Sequence, residues 1–120
     1  MKSSLGDEAR LEHIIAAINE LEEYVLESDF KNFDQNSMMK YASIKQIEII
    51  GEAANYISEE TKICFPAVQW KQIIGLRHIL VHEYFGIDTR LIWQIISADI
   101  PVLKQEAEKI LEWLKAREKM

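Results

Sequence analysis

The sequence predicts an all-α protein, a bundle of about five helices, and three observations lead to this fold class. Apolar residues recur at intervals of three and four along most of the 120 residues, whereas the alternation typical of strands is almost absent. Capping residues, glycines and prolines separate the apolar stripes. No repeat, low-complexity tract or linker interrupts the sequence, so we expect one domain over residues 1–120.

Two helices are predicted in the first half of the chain. An apolar stripe over residues 11–25 indicates the first helix, with Asp7 near its N-terminus, where a carboxylate is favourable. A polar segment then breaks the pattern, and Asp34 or Asn36 is the candidate cap of the second helix. Gly51 lies in the middle of that helix, where glycine costs stability, and this predicts the close approach of another helix.

Three helices are predicted in the second half. A polar connection ends at Pro66, near the start of a third helix that is apolar on several faces. Such a helix lies at the centre of a protein or in a subunit interface. Gly86 and Asp88 predict its end and the cap of a short fourth helix, and Asp99 with Pro101 predicts the opening of a fifth.

Charge and composition exclude several classes of protein. The net charge of −6 argues against indiscriminate binding to nucleic acid. Residues 69–90 nevertheless contain three cations and two anions, a net charge of +1 against −7 for the rest of the chain, which indicates an anionic partner there. No apolar run approaches the length of a membrane span. A lone cysteine, Cys64, cannot form an internal disulfide, so we expect a protein of the reducing cytoplasm.

The stretch GLRHILVHEYFGID, residues 75–88, concentrates the reactive side chains. On a straight helix Arg77 and Tyr84, seven residues apart, share one face, and His78 and His82, four apart, share another. Arg77 and His82 are separated by roughly 140° around such a helix. Their convergence therefore needs a looser helix before Gly86, or a second chain.

Three interpretations of this cluster remain open at this point. His78 and His82 can be ordinary polar residues at a packed edge, with Arg77 as a structural ion-pair partner. The two histidines can chelate a metal, but no HExxH motif and no third ligand is evident. The cluster can also cleave a phosphodiester, since histidine transfers protons near neutral pH and arginine matches phosphate oxygens. A ribose 2′-OH would then supply the nucleophile, and a twofold dimer would duplicate the single histidine.

The residues from Arg77 to Tyr84 resemble the RX4HXY motif of HepT-type toxins, which belong to the HEPN superfamily. Three blocks carry the resemblance in the order of that family. They are IIGEAANYISEE at 49–60, PAVQWKQIIGLRHILVHEYFGID at 66–88 and IWQIISADIPVL at 92–103. The resemblance covers nearly the whole chain.

This resemblance implies an up-and-down helical bundle that forms a homodimer, with metal-independent RNase activity in a cleft between the two chains. Arg77 and His82 would be the catalytic pair, acting on the phosphate and on the proton respectively, without a cofactor. In related proteins the residue after the arginine is commonly Asn or Asp, whereas His78 stands here and adds a titratable group. We therefore assign His78 a supporting role.

The resemblance also implies a partner. Such toxins are typically paired with a minimal nucleotidyltransferase antitoxin in type VII toxin–antitoxin systems, and the homodimer can assemble further with that antitoxin. The antitoxin transfers AMP from ATP to the motif tyrosine, here Tyr84. The added phosphates would pair with Arg77 and repel RNA. The alternative is a non-catalytic helical module that binds a nucleotide or serves as a scaffold for the nucleotidyltransferase, and growth arrest without the partner would favour the toxin.

Overall fold

Three long helices form the frame of the protein. The structure is a computed structural model that describes residues 2–79, 86 and 88–118, and within them it confirms the all-α prediction. The frame consists of α1 (Lys2–Tyr24), α3 (Ser37–Asn55) and α7 (Ile100–Glu118), with α1 packed against both of the others. Its apolar stripes meet in a continuous core that includes Leu11, Ile14, Ile18, Ile44, Ile47, Ile50, Leu103, Ile110 and Leu114. None of the described helices is long and apolar enough to cross a membrane.

Short helices connect the members of the frame. They are α2 (Phe30–Gln35), α4 (Glu59–Cys64), α5 (Trp70–Gly75) and α6 (Thr89–Gln94). Polar side chains cap two helices where the sequence predicts it: Asn36 accepts the amide hydrogen of Met39 at the start of α3, and Asp88 accepts that of Leu91 at the start of α6. Gly86 has a φ of 98°, a left-handed conformation that suits the predicted helix stop.

Two segments expected to be connections contain helices. The segment after α1 forms α2 because Asp29 caps it, accepting the amide hydrogen of Asn32 at 2.8 Å. The segment before Pro66 forms α4 because Ser58 caps it in the same way. Each of these helices is six residues long, too short to show an apolar stripe, and therefore the periodicity of the sequence does not reveal them.

The fifth helix begins where the sequence predicts, at Ile100 between Asp99 and Pro101, but no break separates it from the fourth. A π-helical turn, Ile95–Asp99, joins α6 to α7, and the chain continues as a helix through Pro101. The amide of Ile100 donates to the carbonyl of Ile95, five residues earlier, which widens the helix directly before the proline. Because this widening moves the preceding carbonyls away from the proline ring, Pro101 is accommodated instead of ending the helix.

Asp7 has a role that the sequence does not indicate. It lies within α1, 1% exposed, and is not a charge at the helix N-terminus. Its carboxylate accepts the Ser58 amide at 2.9 Å, the Ser58 hydroxyl at 2.6 Å and the Thr61 hydroxyl. Since Ser58 and Thr61 belong to the first turn of α4, this buried carboxylate joins α4 to the frame.

The three tryptophans pack against the core. Trp93 lies 5.1 Å from Phe33 between ring centroids, and Trp113 meets Phe65 edge to face at the same distance. The indole N–H of Trp70 donates to the carbonyl of Phe65 at 2.9 Å. These contacts assign the tryptophans to folding and not to base stacking.

Candidate active site

A short arm carries the first two residues of the predicted cluster. This site arm comprises α5 and the tight turn over residues 76–79, and it packs against α3. Ile73 is its one buried side chain. The α-helix ends at Gly75, because the amide of Leu76 donates to the carbonyl of Ile73 only three residues earlier, as in a 3₁₀ turn. The α-helix therefore ends just before Arg77, in a turn that is tighter than an α-helix and not looser as convergence within one chain would require.

Gly51 of α3 sets the position of the Arg77 backbone. A Cβ atom at Gly51 would overlap the backbone nitrogen of Arg77 and would lie 3.0 Å from the carbonyl oxygen of Ile73. It would lie 3.0 Å from the carbonyl carbon of Leu76 as well. All three contacts are with backbone, which cannot move aside as a side chain can. The predicted close approach is confirmed, and the approaching segment is the one that carries Arg77.

The Arg77 side chain is partly buried and makes one hydrogen bond within the described part of the chain. Its Nε–H donates to Nε2 of His78 at 3.2 Å, and His78 itself is exposed. The guanidinium is always protonated and has four further N–H groups on its two Nη atoms. Among the described residues none of these four has a protein partner.

Two of the predicted site residues, His82 and Tyr84, lie outside the described residues. Their convergence with Arg77 stays a prediction, and a metal held by His78 and His82 stays only the weaker alternative. Among residues 2–79, 86 and 88–118 no group of three or more His, Cys, Asp and Glu side chains is arranged to hold a metal ion.

An apolar groove of about 250 Å³ lies beside the site arm. Ile73 and Leu76 line it from the arm, and α6, the π-helical turn and α7 supply the opposite wall. Two apolar side chains in this groove face solvent, Leu91 (47% exposed) and Val102 (56% exposed). Leu76, which precedes Arg77, lines the same groove, and exposed apolar surface of this kind is typical of an interaction site.

Two further charged residues, Glu52 and Arg90, have surroundings that do not include the Arg77 side chain. Glu52 is exposed and forms no ion pair with Arg77, although it follows Gly51 directly. It lines a separate surface depression on α1 and α3 together with Arg10 and His13. The Arg90 guanidinium lies 4.4 Å from the centroid of the Phe30 ring, a cation–π contact that fixes it against α2.

Comparisons with known proteins place the chain among ribonuclease HepT-like sequences. The family model for ribonuclease HepT-like proteins matches residues 14–110. A "Putative RNase" of Methanocaldococcus jannaschii is 44% identical over 100 residues, 83% of this chain and 92% of the relative. The "Probable ribonuclease HepT" of Thermococcus cleftensis is 38% identical over 100 residues, 83% of this chain and 91% of the relative. A "Putative RNase" of Caldanaerobacter subterraneus is 37% identical over 102 residues, 85% and 91% of the two chains. No solved structure matched.

Proposed function

The chain belongs to the ribonuclease HepT-like family, and from this premise we propose that it is an endoribonuclease, the toxin of a type VII toxin–antitoxin pair. One observation carries the proposal: the matched region includes a partly buried Arg77 whose Nη groups have no partner in the described chain. Single-stranded RNA presents the phosphate that such a guanidinium binds, together with a 2′-OH nucleophile.

The proposed reaction is a metal-independent transesterification. His82 takes the proton of the ribose 2′-OH, and the 2′ oxygen attacks the adjacent phosphorus. The bond from phosphorus to the 5′ oxygen breaks, the 5′ oxygen receives a proton, and a 2′,3′-cyclic phosphate remains. Arg77 stabilises the charge that develops on the phosphoryl oxygens. A twofold dimer brings a second His82 to the cleft, which supplies the acid for the leaving oxygen.

The groove beside the arm supports the dimer. Leu91 and Val102 expose apolar surface in the groove that Ile73 and Leu76 of the arm also line, and burial of that surface between two copies would bring both arms to the interface. The paired substitution Leu91→Asp with Val102→Asp is expected to yield a folded monomer without RNase activity. Sedimentation velocity and circular dichroism measure the two properties. A dimer that persists in this variant would exclude the groove as the interface.

Cleavage of single-stranded RNA by the purified protein in EDTA tests the proposed function. We expect products with 2′,3′-cyclic phosphate ends from the wild type, and a loss of at least about a hundredfold in Arg77→Ala and His82→Ala. His13→Ala is the matched control, because His13 is an exposed histidine of α1 away from the arm, and it should cleave like the wild type. Equal activity in His82→Ala and the wild type would contradict the assignment.

Control by AMP transfer is proposed for Tyr84. Co-expression with a cognate nucleotidyltransferase should raise the intact mass by whole AMP units and restore growth, whereas Tyr84→Phe should gain no mass and stay toxic. Bulky anionic phosphates near Arg77 would occupy its guanidinium and repel RNA. An unchanged mass, together with absent toxicity and absent cleavage, would instead favour a non-catalytic scaffold for the nucleotidyltransferase.

A further inference from the structure

The contact between Arg77 and His78 fixes the form of the imidazole. Arg77 donates its Nε–H to Nε2 of His78 at 3.2 Å. Nε2 can accept this hydrogen only with a free lone pair, which requires a neutral ring that carries its proton on Nδ1. An imidazolium has no acceptor and would add a second positive charge beside the guanidinium.

Helical geometry alone does not bring the side chains of Arg77 and His78 into contact. Side chains of consecutive residues on a helix point in different directions and do not face each other. Arg77 must therefore fold back across the turn to reach the next residue, although a long flexible side chain loses rotamer freedom in doing so. The 3₁₀ turn over residues 76–79, together with the Arg77 backbone against Gly51, makes this folded arrangement accessible.

We propose that His78 is a positioning residue for Arg77. Anchoring Nε stops the guanidinium from rotating about its bond to Cδ, so the plane is held and both Nη groups present their free edge in one direction. A phosphate then binds a guanidinium whose N–H donors are already oriented, so the arginine side chain need not change its rotamer. The proposal deepens the RNase function proposed above and rests on Arg77 acting on phosphate. It assigns His78 a structural form, neutral and protonated on Nδ1, that the motif does not specify.

Nitrogen NMR of the imidazole tests the contact without reference to cleavage. In protein labelled with ¹⁵N-histidine, at a pH well above the ordinary histidine value of about 6.5, His78 should show the pattern of a ring protonated on Nδ1. Arg77→Met retains a long side chain and removes every donor, so the His78 pattern should change to protonation mainly on Nε2. Protonation on Nε2 in the wild type, or the same pattern in both proteins, would overturn the proposal.

Cleavage kinetics test the consequence for the reaction. His78→Gln places an uncharged acceptor oxygen near the position of Nε2, and it should keep kcat within about threefold of the wild type. His78→Leu fills similar space without an acceptor, and its kcat should fall roughly tenfold, as expected from the loss of one hydrogen bond to a charged group. KM should change less than kcat, since a disordered guanidinium still attracts phosphate.

The NMR and kinetic experiments together distinguish failure of the positioning role of His78 from failure of the proposed RNase function. Both His78 variants should melt like the wild type, because the side chain is exposed. Equal kcat in His78→Leu and wild type, or an equal loss in His78→Gln, would contradict the positioning role. A wild type that cleaves no RNA would overturn the proposed function, and the NMR pattern would still decide whether His78 holds Arg77.

Discussion

The frame and the site arm are held in place by different kinds of contact. The frame consists of three long helices with fully buried apolar stripes and a carboxylate that is satisfied by three donors. The arm has one six-residue helix, one buried side chain and a 3₁₀ turn, and it depends on a glycine of α3 for its position. The comparison teaches that stability is concentrated in the frame, whereas the guanidinium is oriented by a few contacts that add little stability.

The largest effect is expected from truncating an isoleucine of the frame. Ile47 is 0% exposed in α3, and Ile47→Ala should lower the free energy of unfolding by about 4 kcal/mol, through lost burial and a cavity. Ile73 is the corresponding isoleucine of the arm, and Ile73→Ala should cost about 2 kcal/mol because its groove side can collapse or fill with solvent. Urea denaturation measures both changes. A larger loss for Ile73 would reverse the comparison.

Removal of the buried carboxylate should have the next largest effect. Asp7→Ala leaves the Ser58 amide and two hydroxyls without their acceptor and should cost about 3 kcal/mol. Asp29→Ala is the matched control, since Asp29 is an exposed helix cap with a single acceptor bond, and it should cost about 1 kcal/mol. Thermal unfolding followed by circular dichroism compares the two. Similar losses would mean that burial adds nothing to the Asp7 contacts.

Substitution of Gly51 affects the junction of the two regions. Gly51→Ala forces α3 and the arm apart at the Arg77 backbone, so stability should fall by about 2 kcal/mol and RNA cleavage should fall as well. Gly75→Ala is the control, because a Cβ there meets nothing within 4 Å, and alanine should stabilise the protein by about 0.5 kcal/mol. Unimpaired cleavage in Gly51→Ala would show that the contact between Gly51 and the backbone of the arm does not set the position of Arg77.

The smallest effect is expected at the edge of the groove. Burial raises the pKa of the Glu106 carboxyl above 4.5, although the Lys109 charge opposes the shift. The folded state then binds this proton more tightly than the unfolded state, so the contribution of Glu106 to stability falls as the pH rises through its pKa. Glu106→Gln should be more stable than the wild type at pH 7, by less than about 0.5 kcal/mol, and should lose this advantage at pH 3. An advantage that grows towards acid pH would reverse the assigned direction.

Much of the fold follows from the sequence because long amphipathic helices have a readable period. The apolar stripes of α1, α3 and α7 and the caps at Asn36 and Asp88 depend only on residues that are close together in the sequence. The sequence alone therefore reveals them. The continuous helix through Pro101 could not be predicted in this way. A proline usually begins or ends a helix, and here the π-helical turn before it allows the helix to continue.

The site divides in the same way. The chemical types of Arg77 and His78 could be predicted, as could the close approach at Gly51. The short arm could not, because the sequence predicted one helix up to Gly86 and the α-helix ends at Gly75. The hydrogen bond between the two side chains could not, since consecutive helical residues are expected to diverge. The contact of Asp7 with Ser58 joins residues 51 positions apart, and no periodicity within one helix encodes such a pairing.

The π-helical turn, Ile95–Asp99, also determines which changes of length the chain can tolerate. Deletion of one residue from the turn would restore a uniform α-helix and rotate everything before it by about 100° relative to α7. Ile92, 1% exposed, would leave the core, and the groove wall that contains Leu91 would turn away from the arm. The turn thus fixes the rotation of the preceding segment, and of the groove wall beside the arm, relative to the apolar face of α7. Insertions or deletions in this gene should therefore be selected against at these five codons more strongly than in the tail of α7.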